Sequence, residues 1–482
     1  MKYKYLIHII MKKTLKIILP AISMIVFSHT ATYAQKNNTF IFTHANVIPM
    51  NKETVLRDYS VIVKDGKIIQ IGPSPSVKTP KGAKVINATD KFLIPSLSDM
   101  HVHLEGDAWN MMFPSDAEKF TEKELDFNDI LFLYVANGIT TIDVLFAFPE
   151  HISLREKIKN NQMIGPRLIL SRMIDGAGKA WPPPLGVWIN NADEAKKAII
   201  EMHQQGYDRV KVYSFLSKEC YDTIIATARN LNMPVDGHVP FATSVEHVIS
   251  SGQKMIAHAE EIMKFAKEYN PDQVSYYAGL LAKSNVWVTS SLVLNYNLNA
   301  MLKDSATEFS KPGTEYLHPM ANGIWKFVYQ NIYKPIPEKN RLDLINGYNQ
   351  FQKPFVYELH KKGGKLLSGT DALVPSTIPA FALHQELQEL VSAGLRPFEA
   401  LKISTTNAHE FLNELDSTGT IEPGKLANLL LLDKNPLEDI ANTRKIAGVM
   451  TQNMWLPKAE IDRRLSEIKN SYTNLAKEKQ KL

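Results

Sequence analysis

The chain has 482 residues, with 55 Lys and Arg against 50 Asp and Glu and 44% apolar residues. That is the composition of a folded globular chain, not of a disordered or fibrous one. The formal charge of +5 is no sign of an anionic partner: Lys2, Lys4, Lys12, Lys13 and Lys16 lie in the first 34 residues, which hold no acid, and the remainder balances 50 bases against 50 acids. Nucleic acid is therefore not an expected partner.

Lys12, Lys13 and Lys16 precede an apolar run at 17–27, and small and polar residues follow as far as Thr32-Tyr33-Ala34. This is the pattern of a cleavable secretory leader over residues 1–34. Its apolar run of 11 residues falls short of the about 20 that span a bilayer. The expectation is a periplasmic or secreted protein with no stable membrane anchor once the leader is removed. Cys220 is the only cysteine, which excludes an internal disulfide and a thiolate zinc cluster and leaves no cysteine after the leader to accept a lipid.

Short β-patterned runs follow at 40–47 and 60–71, the second broken by the hairpin turn Asp65-Gly66. From residue 83 the pattern changes. Runs rich in Val, Ile and Leu at 92–104, 138–145, 166–171, 209–214, 234–239, 254–258, 286–294 and 365–370 alternate with helix-patterned stretches. Strands buried on both faces read as such continuous runs, and eight of them predict a closed parallel (β/α)8 barrel of the TIM type. Two stretches exceed a minimal repeat. Trp181-Pro182-Pro183-Pro184 stiffens residues 180–190, either as a loop at the catalytic face or as a packing loop; residues 295–352 read as an inserted helical lid or a peripheral excursion. After a helix at 399–414, the runs at 419–432 and 446–456 return to β character. The predicted organisation is α/β: a barrel over 93–414, a small β-sandwich domain built from both ends of the mature chain (35–92 and 415–456), and a helical tail over 457–482 opened by Pro457.

The candidate chemistry sits at strand ends. Asp99-Met100-His101-Val102-His103 closes the first barrel run. Residues two apart on a strand share a face, so both imidazoles project into the barrel mouth, where neutral ring nitrogens can bind one divalent cation. Lys211 stands among apolar neighbours on the fourth run. A buried lysine is costly unless it pairs or changes chemistry, for instance by forming a carbamate with carbon dioxide; the plainer reading is a snorkelling side chain. His238, His258 and Asp371 close the fifth, sixth and eighth runs. Each alone reads equally as a core histidine or a capping aspartate, but five strand ends on one face point to a metal site. Tyr213, two residues beyond Lys211, can hydrogen-bond an oxyanion or simply pack. His384 either orients a substrate or caps the barrel, while His44, His151, His203, His247, His318, His360 and His409 show no strand-end placement.

At this point the sequence resembles the amidohydrolase superfamily, and within it the imidazolonepropionase-like and prolidase-like branch. Besides the ligand series, the resemblance rests on Phe92-Leu93-Ile94-Pro95, His384-Gln385-Glu386-Leu387, Ala393-Gly394-Leu395, Thr405-Thr406-Asn407-Ala408, the tail Gly419-Thr420-Ile421-Glu422-Pro423-Gly424-Lys425, and Leu430-Leu431-Leu432-Asp433 with Asn435-Pro436-Leu437. It departs at Ser96 and Ser98 of Pro95-Ser96-Leu97-Ser98, where the family usually has Pro-Gly-Leu-Ile, and at Asn428, where it usually has Asp. The resemblance implies that His101, His103 and Asp371 hold one metal, His238 and His258 a second, and a carboxylated Lys211 bridges both. Zinc is the first expectation, with manganese, cobalt and iron equally compatible with imidazole and carboxylate donors. Together with the leader it implies an exported hydrolase of an amide or cyclic amide bond, such as that of a dipeptide or N-acyl amino acid, with Asp371 as base and then acid. Hydrolytic deamination of a heterocycle is the alternative within enzymes, and a non-catalytic binding barrel the alternative outside them. A homo-oligomer is left open.

Overall fold

The computed structural model describes residues 38–104, 127–179 and 181–479, so the leader at 1–34 lies outside them. The described chain opens with β1 (Thr39–Val47), β2 (Leu56–Lys64), β3 (Lys67–Pro73), β4 (Lys84–Asn87) and β5 (Phe92–Pro95). It continues with β6 (Leu97–Val102), β7 (Ile139–Val144), β8 (Arg167–Gly176), β9 (Val187–Ile189), β10 (Arg209–Val212), β11 (Val235–Gly237), β12 (Met255–Ile256), β13 (Trp287–Thr289) and β14 (Lys365–Leu367). It closes with β15 (Leu429–Leu432), β16 (Ile446–Thr451) and β17 (Met454–Pro457) before a last helix, Lys458–Lys479.

Two sheets result. Parallel pairing runs β14, β13, β12, β11, β10, β8, β7, β6, with β9 added beside β8. The ring closes where Met100 N donates to Ser368 O (2.9 Å) and Thr370 N to His101 O (3.1 Å). The fold is therefore the eight-stranded TIM-type barrel that the apolar runs predict, with helices such as Ala192–Gln205 and Lys218–Asn230 packed between strands on its outside. The second, mixed sheet runs β17, β16, β15, β5, β1, β2, β3, with β4 beside β1, around a core that includes Phe42, Val47, Val61, Leu93, Leu431 and Met450. It joins chain from both sides of the barrel, because β5 pairs with β1 on one edge and antiparallel with β15 on the other.

Three details differ from the sequence reading. The run 92–104 is not one strand: Phe92–Pro95 belongs to the flanking sheet, and Ser96 is the hinge at which the chain enters the barrel. Ser96 donates its N–H to the carbonyl of Asn428 and bonds Thr140 through its hydroxyl, so one point of departure from the family pattern touches the other. The run 286–294 is strand only over Trp287–Thr289; Leu292 already opens a helix. That helix start is held by Glu386, which accepts from Val293 N (2.6 Å) and from the Ser290 hydroxyl. The segment 180–190 contributes β9, a strand not anticipated.

Residues 295–352 are helical as expected, and Trp325 donates its indole N–H to the carbonyl of Leu373 (2.9 Å), two residues past Asp371. The last helix is not merely a surface element: Ile461, Ile468 and Tyr472 are buried, and Arg464 covers the ring of Phe132. No helix among the described residues is long and apolar enough to cross a membrane.

Candidate metal centre

All six candidate ligands lie at the carboxyl-terminal end of the barrel: His101 on β6, His103 just past it, Lys211 on β10, and His238, His258 and Asp371 following β11, β12 and β14. The structure brings them together. Asp371 Oδ1 lies 2.7 Å from His103 Nε2 and 3.1 Å from His101 Nε2, and Oδ2 lies 3.9 Å from His258 Nε2. The donor atoms of His101, His103 and Asp371 all fall within 4.8 Å of one another. Lys211 Nζ is 3.4 Å from His101 Nε2. The His101 and His258 rings stack at 4.3 Å, and His238 meets His258 at 5.5 Å.

Local backbone makes this convergence possible. His258 and Asp371 sit at φ +74° and +56°, a region costly for residues other than glycine and held only where the surroundings over-determine it. Gly237 precedes His238 at φ +124°, where a Cβ would meet Val212 O at 2.2 Å, and a Cβ on Gly369 would meet His101 Cβ at 2.7 Å. Only glycine lets β11 and the end of β14 approach their neighbours this closely.

Asp99, on the same strand face as His101 and His103, accepts from Thr370 N (3.0 Å) and from the Thr370 hydroxyl (2.7 Å), and burial pushes its carboxyl up to about 7. It thereby ties the first ligand strand to the turn that carries Asp371. One strand layer below the ligands, Arg209 reaches Asp236 (2.7 Å) and Asp143 (4.0 Å). Arg209 precedes Lys211 by two residues and Asp236 precedes His238 by two, so the same faces carry both layers.

Burial dominates the electrostatics. It holds His101 and His238 well below the usual imidazole range, His258 at about 3 and His103 below its ordinary value. Neutral rings offer lone pairs. Burial alone would raise the Asp371 carboxyl, but the surrounding His101, His258 and His103 outweigh it and keep Asp371 ionised, well below the ordinary value. Burial lowers the Lys211 amine to about 8. Neutral imidazoles around one buried carboxylate are a donor set that fits a divalent cation of the zinc, manganese, cobalt or iron kind. The Nδ1 atoms of His101, His103 and His258 are buried without a hydrogen-bond partner among the described residues.

The Tyr213 ring lies tilted against His238 with centroids 4.2 Å apart, and its hydroxyl is hydrogen-bonded to the Trp181 side chain. Burial raises the phenol to about 12. The Phe146 ring lies 5.8 Å from His103 and 5.6 Å from Trp181. An aromatic arc thus runs from His103 through Phe146 and Trp181 to Tyr213, and the loop at 180–190 does reach the site. His384 does not: it is buried and pairs through Nδ1 with Thr443 (3.0 Å), which supports the capping alternative. Two of the other histidines are engaged elsewhere, His247 on Asp222 and His151 accepting from Phe148 N. Glu261, which the sequence reading passed over, reaches the site through His238. Its one signal was its position three residues beyond a strand-end histidine.

The fold is shared with solved structures of low identity. A candidate prolidase from Bifidobacterium longum superposes with a TM-score of 0.65 at 23% identity, covering 89% of this chain and 98% of that one. Bottromycin amidohydrolase gives 0.69 at 18%, covering 91% of each chain. A Xaa-Pro dipeptidase with methionine bound in its active site gives 0.63 at 19%, covering 87% of this chain and 100% of that one. No curated protein matches the chain. The model of the Amidohydrolase family matches residues 92–456. Barrel and family match agree, and the chain belongs to the amidohydrolase family, as a hydrolase of carbon–nitrogen bonds.

Proposed function

We propose that this hydrolase is exported and cleaves the amide bond of a dipeptide or N-acyl amino acid, using divalent cations held by His101, His103 and Asp371 and by His238 and His258, with a carboxylated Lys211 between them. The observation that carries the reading is the meeting of the buried Asp371 with the imidazoles of His101 and His103 at the carboxyl-terminal end of the barrel. Export rests on the leader pattern alone. A bound cation supplies Lewis acidity towards water and towards the amide carbonyl.

The chain's own groups supply the rest. Asp371, ionised and aimed into the mouth, takes a proton from the attacking water on a carboxylate oxygen and delivers it to the leaving nitrogen. Tyr213 accepts from the Trp181 indole, which can only donate, so its own hydroxyl hydrogen is available to the developing oxyanion. The lowered Lys211 amine has an accessible neutral form, and its addition to carbon dioxide gives a carbamate anion and one proton. Phe146 and Trp181 offer apolar faces beside His103, which favours substrates carrying an aromatic or large apolar side chain next to the scissile amide.

The test is turnover of N-acetyl amino acids, dipeptides and cyclic amides by protein loaded with zinc, manganese or cobalt in the presence of bicarbonate. Hydrolysis of N-acetylphenylalanine or a phenylalanine-containing dipeptide is expected. Metal-loaded protein that releases ammonia from a heterocycle and leaves all amides intact would refute the reading.

A further inference from the structure

His238 differs from the other three imidazoles in having its Nδ1 edge occupied. That atom lies 3.1 Å from Glu261 Oε1 and 2.8 Å from the Ser214 hydroxyl. Glu261 is almost fully buried at 1% exposure, yet it carries a carboxylate, which burial would expel unless it is paired. Its partners come from two ligand-bearing strands. Oε2 accepts from the backbone N–H of Val239, next to His238, at 3.1 Å, while its own N–H donates to the carbonyl of His258 at 3.1 Å. Lys264 completes the shell from the mouth side. A single residue therefore grips both histidines of the proposed second cation.

We infer that Glu261 is a positioning residue for that cation: its Oε1, 3.1 Å from His238 Nδ1 beside the Ser214 hydroxyl that bonds the same nitrogen, fixes the ring's orientation and favours the tautomer with the proton on Nδ1, leaving Nε2 as the nitrogen that faces the centre. The inference deepens the proposed function and rests on its assignment of His238 as a ligand. A carboxylate behind a ligating imidazole both orients the ring and raises its basicity, and its removal typically weakens metal binding about 10- to 100-fold. The neighbouring trio has no such support; His101 and His103 are instead oriented through Nε2 by Asp371 itself. The second cation thus has a pre-set histidine.

The experiment uses the full chain freed of metal, with zinc alone as probe. Zinc stoichiometry and affinity are measured by competition with a chromophoric chelator, and the His238 tautomer by nitrogen-15 shifts of the zinc-free protein, for wild type, Glu261→Gln, Glu261→Ala and Lys264→Met. Wild type should carry the His238 proton on Nδ1. Glu261→Ala should lose that preference and bind one zinc 10- to 100-fold more weakly. Glu261→Gln, the same size but with one acceptor oxygen for two donors, should fall between. Lys264→Met, which leaves the Glu261 side chain in place but removes its cation, should weaken zinc binding less than Glu261→Ala does. The role is overturned if both Glu261 variants keep wild-type zinc affinity and tautomer, or if Lys264→Met loses as much as Glu261→Ala. Wild-type protein that binds no zinc would overturn the metal reading itself and this role with it.

Discussion

His103 and Asp371, 268 residues apart, meet through Nε2 and Oδ1 at 2.7 Å, and the same oxygen also serves His101. One carboxylate therefore both orients the opening pair of imidazoles and holds the position from which a proton can be moved. Asp371→Asn keeps the shape and loses the charge. It should lower kcat by about 10²- to 10⁴-fold, the usual worth of a positioned acid–base group, and weaken zinc binding at the same time. Steady-state rates with a metal assay on the same samples check this, and a variant with full activity would remove Asp371 from the chemistry.

Lys211 separates amidase from deaminase. Deaminases of this superfamily usually work with one metal and no carbamate, whereas the amidase reading needs an anionic bridge. Lys211→Ala should fold, lose one equivalent of metal and most amide hydrolysis, and lose the benefit of added bicarbonate expected of wild type. Retained metal and ammonia release would favour the deaminase.

The aromatic arc yields a split between specificity and rate. Phe146→Ala should lower kcat/KM for N-acetylphenylalanine by roughly tenfold or more, the scale of a lost apolar contact, while changing N-acetylalanine little. Trp181→Phe keeps a ring but not the N–H that holds Tyr213, so its effect should fall on kcat for both substrates alike. A pair of variants that affect both substrates identically would argue against a specificity wall.

Arg209 pairs with the buried Asp236 at 2.7 Å beneath the site and stands 4.0 Å from Asp143, whose carboxyl burial pushes up to about 8. Arg209→Met removes the charge and leaves them facing each other, which should cost on the order of 3–5 kcal/mol by the general behaviour of broken buried pairs. Denaturant unfolding of the metal-free protein measures it. A loss under about 1 kcal/mol would mean that the carboxylates find other partners.

Acid stability should follow the buried histidines outside the site. Burial lowers His151 to about 3, while its unfolded value stays near 6.5. Below pH 6.5 the unfolded chain takes up a proton that the folded chain refuses, so stability present above that pH is lost progressively down to about pH 3, at about 1.4 kcal/mol per pH unit. His151→Asn keeps an acceptor for Phe148 N–H and should flatten this acid limb of Tm against pH. An unchanged limb would rule His151 out as its source.

Much of this was legible in the primary structure because barrel strands are buried on both faces and announce themselves as apolar runs, and because ligands placed at strand ends follow from that register. What was hidden depends on distant partners. Nothing local distinguishes Phe92–Pro95 from Leu97–Val102; only pairing with β15, more than 300 residues on, sends the first into the other sheet. Leu292-Val293-Leu294 reads as more strand until Glu386, over 90 residues away, caps a helix there. Glu261 looks like one more surface acid until its side chain is found turned inward on His238. The six candidate ligands were nominated by type and spacing, while the groups that touch them were visible only in space.

The junction at Ser96 carries a consequence for synthesis. β5, which passes through Ser96 into the strand carrying His101, is clamped on one side by β15, and Ser96 itself donates to the carbonyl of Asn428. A nascent chain that has emerged only as far as Asp371 owns every proposed ligand yet lacks the clamp that sets the opening pair. Alignment of the opening pair therefore waits until residues 428–432 have been made, so a product cut short between Asp371 and Asn428 carries every proposed ligand without the splint that aligns them.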